Sequence, residues 1–202
     1  MEPSFPDVGA DLDGWRLADE SVETLFEVPG ARVQGATRRF EDEQTRVAVR
    51  EATDGALDHE WRFVSVTTLG FAPPLPPGTT ATVLPMVRRQ AGDAFARRLS
   101  ERGLTDVTRR GRQRLRVGSG SRARMTRFGA IDPVDGTRRV PVAGWVCAWD
   151  DGRDLFVVTG GYPEGRLADL LSIEVASPRL EQSGQEYREE LFEIVRSVSP
   201  GP

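Results

Sequence analysis

Arg138-Arg139-Val140-Pro141-Val142-Ala143-Gly144-Trp145-Val146-Cys147-Ala148-Trp149 and, past the turn Asp151-Gly152, Leu155-Phe156-Val157-Val158-Thr159-Gly160-Gly161 are the stretch on which the fold turns. Side chains alternate between the two faces of a strand, so a half-buried strand shows polar residues at every second position. Here apolar residues fill both parities: Trp145, Val146, Cys147 and Ala148, then Leu155, Phe156, Val157 and Val158. Strands of that kind are buried on both faces. A sheet with covering material on each side is therefore expected.

Downstream, a short helical stretch near 164–171 and a loop through Pro178 lead to a final helix. Ser183-Gly184-Gln185-Glu186 has the form of a capping box, and Tyr187, Leu191, Ile194, Val195 and Val198 form its apolar stripe before Pro200. Upstream, Gly118-Ser119-Gly120 separates two strand candidates, 107–117 and 121–131, and Asp135-Gly136 precedes the next. Before these, Val87, Ala91, Ala94, Phe95 and Leu99 recur at helical spacing over 83–102, with Gly103 as the stop. Thr79 or Thr80 is placed to cap that helix, and the proline-rich run 73–78 reads as its connection to the preceding strand. Earlier still, 32–40, 45–50 and 61–69 read as a three-strand meander. Residues 1–30 read as an irregular acidic lead-in with Trp15 as an anchor. The expectation is one domain over 1–202 with its core at about 30–198. Its class is α+β: a mostly antiparallel sheet, a long helix after the third strand and a C-terminal helix, layered α/β/α.

That element order resembles the Mog1/PsbP-like α/β/α sandwich superfamily. The residues that carry the likeness are the buried strand from Asp154 to Gly161 and the terminal Phe192-Glu193-Ile194-Val195-Arg196-Ser197-Val198. The resemblance implies an accessory or binding role and no shared catalytic residues, so no functional residue is carried over.

Composition limits the chemistry. The start, residues 1–10, has neither a basic region nor an apolar run, and no stretch approaches the ~18–20 apolar residues of a membrane span, which points to a soluble, cytoplasmic protein. The 27 basic residues are all arginine, lysine and asparagine are absent, and isoleucine occurs three times. Those residue types have AT-rich codons, so a GC-rich genome, haloarchaeal or actinobacterial, is indicated, with the acid excess favouring the former. One cysteine, Cys147, excludes an intramolecular disulfide, and one histidine, His59, excludes a multi-histidine metal site. Gly118-Ser119-Gly120-Ser121 lacks the lysine and the following helix of a phosphate loop. Asp11-Leu12-Asp13-Gly14 opens like a calcium loop, yet Trp15 and Leu17 stand where ligands belong. No cofactor is called for. An enzyme or small-ligand binder using a pocket lined by Trp61, Trp145 or Trp149 stays open, because a pocket leaves no mark on a sequence.

Charge is segregated. Residues 1–60 hold 15 acids and 6 arginines (net −9), 61–140 hold 5 and 16 (net +11), and 141–202 hold 11 and 5 (net −6). The basic middle culminates in a ribbon about the Gly-Ser-Gly turn: Arg110, Arg112, Arg114 and Arg116 before it, Arg122 and Arg124 after it. Strand alternation puts the first four on one face, and the last two can join them. The plainest expectation is internal pairing with the acids of 1–60 and 181–193, or a generic arginine-rich surface in a chain without lysine. The other readings are an acidic protein partner, which an interaction module would use, and nucleic-acid phosphates. Phe128 is the one aromatic near enough to stack a base.

Overall fold

Seven strands form one antiparallel sheet in the computed structural model, which describes residues 3–201 apart from 29, 77 and 119. In chain order the elements are β1 (Asp7–Val8), β2 (Trp15–Val28), β3 (Ala31–Asp42), α1 (Glu43–Ala52), β4 (Phe63–Ala72), α2 (Thr80–Glu101), β5 (Thr105–Arg116), β6 (Arg122–Val134), β7 (Arg138–Asp150), β8 (Leu155–Pro163), α3 (Leu167–Leu171), a 3-10 turn (Pro178–Glu181), α4 (Gly184–Ser197) and β9 (Val198–Ser199). The sheet order is β2-β3-β4-β8-β7-β6-β5, and β1 pairs separately with β9. Pro77 of the proline-rich connection and Ser119 of the expected hairpin turn lie outside the described residues.

The two-sided strands do what their parity requires. Trp145, Cys147, Trp149, Phe156 and Val158 face α4 and pack with Tyr187, Leu191, Ile194 and Val195. On the opposite face Val146 and Val142 pack with Phe95 and Leu99 of α2 and with Leu167 and Leu171 of α3. The class is therefore α+β with helices on both sides of a mostly antiparallel sheet, the long helix following the strands of the first meander. Gly144 and Gly160 allow the close approach: a Cβ on Gly144 would stand 2.7 Å from the Phe95 ring, and one on Gly160 2.7 Å from Leu191.

Three expectations are corrected. Residues 45–50 are helical, not a strand: Asp42 accepts from the Thr45 backbone N–H at 2.9 Å and its hydroxyl at 2.7 Å, which caps α1. Thr45, Ala48 and Val49 are then buried at helical spacing, so capping and burial override the β-branched composition. The acidic lead-in is not irregular either, because residues 15–28 form β2, the first strand of a β2-β3-β4 meander. β2 is an edge strand whose residues are mostly exposed or half-buried, so polar residues sit at both parities and the period-two signal vanishes. Thr79 supplies no side-chain cap to α2; its hydroxyl donates instead to the Pro76 carbonyl at 2.6 Å.

Candidate functional site

Six strand spacings of about 4.8 Å separate the outer strands by roughly 29 Å, whereas one helix with its side chains is about 10–12 Å across. The long helix α2 seats Val87, Phe95 and Leu99 over the β7–β8 centre of its face, against Val146, Ala148 and Val157. Two flanks of that face stay open, one over β5–β6 and one toward β2.

The β5–β6 flank is cationic. Register pairs Arg114 with Arg124 and Arg116 with Arg122, and Arg112 faces Thr126. Gln113, Leu115, Ala123 and Met125, at the intervening positions, turn to the α4 side, where Leu115, Ala123 and Met125 enter the core. Arg112, Arg114, Arg116, Arg122 and Arg124 are exposed. Among the described residues none of the five has an ion-pair partner, although most other arginines do, for example Arg16–Glu41, Arg38–Glu20, Arg46–Asp58 and Arg127–Glu164. The expected internal pairing with the acidic segments is thus corrected. Among those acids Glu20, Glu23 and Glu27 lie on β2, the far edge strand of the sheet, where Arg38, Arg98 and Arg32 pair with them.

Arg110 does not join the row. A bulge between Arg109 and Gly111 resets the alternation, so Arg109 reaches α2 (Asp93 at 2.6 Å, the Phe128 ring at 5.6 Å) while Arg110 lies over Gly129 on the α4 side. Arg88 of α2 takes its place: its Nε donates to the Ala148 carbonyl at 3.2 Å. Burial and the nearby Arg124 charge hold the Arg88 pKa below its ordinary value. The outward arginines of the helix are visible in the sequence, but which of them meets the hairpin depends on where the helix crosses the sheet.

The flank toward β2 is a groove of about 490 Å³. Thr37, Ser65, Thr67 and Thr159 form its floor, Ala91, Ala94 and Arg98 of α2 one wall, and Glu23 to Phe26 of β2 the other. No tryptophan lines it. Trp61, Trp145 and Trp149 are core residues, which goes against the tryptophan-lined pocket left open by the sequence, and the Trp145 indole donates to the Tyr162 hydroxyl at 2.9 Å.

The one histidine and the one cysteine stand in different surroundings. His59 is held by Asp132 at 2.6 Å and edge-on to Trp61. Cys147 is buried beneath α4, and burial pushes its thiol pKa up. Asp11 accepts from the Asp13 backbone at 2.9 Å as a turn, and no group of three metal-ligating side chains occurs among the described residues. No helix among them is long and apolar enough to cross a membrane.

No curated protein matches the chain. Among solved structures it is similar to the Ran-binding protein Mog1p of Saccharomyces cerevisiae, determined at 1.9 Å, with 11% identity over 90% of this chain and 95% of that one and a TM-score of 0.40. A family profile matches residues 2–199, and the chain belongs to that family, described as a domain of unknown function (DUF6517).

Proposed function

We propose that this chain is a non-catalytic, cytoplasmic binding module whose hairpin face, Arg112, Arg114, Arg116, Arg122 and Arg124, docks an acidic protein surface. The observation that carries the reading is five exposed arginines on one sheet face with no ion-pair partner among the described residues. Like charges set directly across a strand pair destabilise it, so Arg114–Arg124 and Arg116–Arg122 are juxtapositions that an arriving carboxylate relieves. The planar guanidinium forks suit bidentate carboxylate contacts. A protein is favoured over a nucleic acid because Phe128, on the same sheet face as the row, is buried under Arg109 and offers no base a stacking surface.

Fluorescence anisotropy with a labelled polyglutamate peptide and a labelled DNA duplex, over a salt series, tests the proposal. The peptide should bind at low ionic strength, weaken with added salt, and lose binding when Arg112, Arg114 and Arg116 are replaced by glutamine. A peptide that binds the triple variant equally well, or does not bind the wild type, overturns it. So does an inert peptide beside a duplex whose affinity falls with salt at a log–log slope of roughly −3 to −4, the value for about four phosphates; that result would make the hairpin a nucleic-acid site.

A further inference from the structure

The groove between α2 and β2 differs in chemistry from the basic hairpin. Its volume of about 490 Å³ falls within the range of small-molecule pockets, about 300–1,000 Å³. It exists because α2 presents Ala91 and Ala94 toward this part of the sheet, where larger side chains would close the gap. Elsewhere along the same helix Phe95 and Leu99 fill the space down to the strands.

Three features define what fits. One end is apolar, bounded by Leu25, Leu69, Val87 and Val157. The floor is hydroxylic: Thr37 and Thr67 bond to each other at 2.8 Å, and the hydroxyls of Ser65 and Thr159 have no hydrogen-bond partner among the described residues. The mouth is spanned by Arg98 of α2 and Glu23 of β2, which meet at 3.5 Å with both side chains more than half exposed. An exposed pair at that separation contributes little, about 0–1 kcal/mol. Arg98 is therefore free to exchange Glu23 for a better-placed anion.

We propose that the groove binds a small amphipathic carboxylate, its apolar body among Leu25, Leu69, Val87 and Val157, its carboxylate on Arg98 in place of Glu23, and Ser65 and Thr159 hydrogen-bonding to it in between. Water fills a polar, roomy site readily, but an apolar recess stays dry. Removing the apolar body from water drives it into the recess, and the arginine selects the charge. The site uses none of the hairpin arginines and stands or falls apart from the docking surface.

Calorimetric titration of the full chain with decanoate, with decanol as the uncharged control, tests the site. Decanoate should bind saturably at one site, with decanol about ten-fold weaker or more. Arg98→Gln should weaken decanoate about ten-fold, the expected loss for one charge-assisted hydrogen bond, and Glu23→Gln should tighten it by removing the competing carboxylate. Ala94→Phe should fill the groove and abolish binding. Should that variant not fold, decanoate-induced methyl shifts in the wild type decide the location; they should fall on Leu25, Leu69, Val87 and Val157. Absence of saturable binding, equal affinity for decanol, indifference to Arg98→Gln, or shifts confined elsewhere would each overturn the assignment.

Discussion

Arg62 ties the sheet to two helices. Its guanidinium is 1% exposed, with Nη1 on Asp42 at 2.5 Å and Nη2 on Glu190 of α4 at 2.7 Å, between the rings of Trp15 and Tyr187. Asp42 itself is fully buried and caps α1. Removing the arginine leaves that carboxylate without its counter-charge, a change that costs about 3–5 kcal/mol in buried pairs. Arg62→Met should therefore lower the unfolding free energy by that order in urea titration; an unchanged midpoint would mean that water already solvates Asp42. Cys147 makes a second prediction at this scale. Its buried, high-pKa thiol should resist alkylation in the native protein and react on denaturation, because reagent access and thiolate formation are both blocked. Rapid labelling of the folded chain at neutral pH would contradict the burial.

At the scale of the element, α4 begins on a full capping box: Ser183 Oγ accepts from the Glu186 N–H at 3.3 Å, and Glu186 accepts from the Ser183 N–H at 2.7 Å. Ser183→Ala should destabilise the protein by about 1 kcal/mol, read by thermal melting. The Ser183 backbone hydrogen bond holds the Glu186 carboxyl below its usual value of 4.5. A depressed folded pKa contributes stability above the unfolded value and loses it as pH falls. The melting difference between wild type and Glu186→Gln should thus be full above about pH 5 and shrink progressively below pH 4.5. This helix, its cap and its stripe of Tyr187, Leu191, Ile194 and Val195 were all legible in the sequence, since each signal is local. α1 was not: Val47 and Val49 read as strand, and only the burial of Asp42 beside Arg62 makes the cap that starts a helix there.

Across the whole molecule, opposite charges occupy opposite edges of one sheet: β2 carries Asp19, Glu20, Glu23 and Glu27, and β5 carries Arg109, Arg110, Arg112, Arg114 and Arg116. Because Arg112, Arg114 and Arg116 have no ion-pair partner among the described residues, replacing them with glutamine should leave stability within about 0.5 kcal/mol of wild type, the reverse of what internal pairing requires. We propose further that residues 30–198 unfold as one unit. The α4 face of the sheet is covered by α4, so deleting 181–202 exposes Trp145, Trp149 and Phe156 and should abolish the cooperative melting transition. A truncated chain that melts normally would contradict that dependence.

By itself the sequence determined the two-sided burial of β7 and β8, the long helix ending at Gly103, the capped terminal helix and the exclusion of multi-histidine metal and phosphate-loop chemistry. Each of these rests on residue identity or on spacing within one element. Tertiary structure alone decided the rest. The bulge at Arg109–Gly111 sent Arg110 to the α4 side, since a single inserted residue inverts strand parity. Arg88 joined the row and the acidic segments did not, because strand order, not chain position, sets which charges meet. The groove arose where α2, seated over β7 and β8, leaves the strands toward β2 uncovered, a mismatch between elements that no window of the sequence contains.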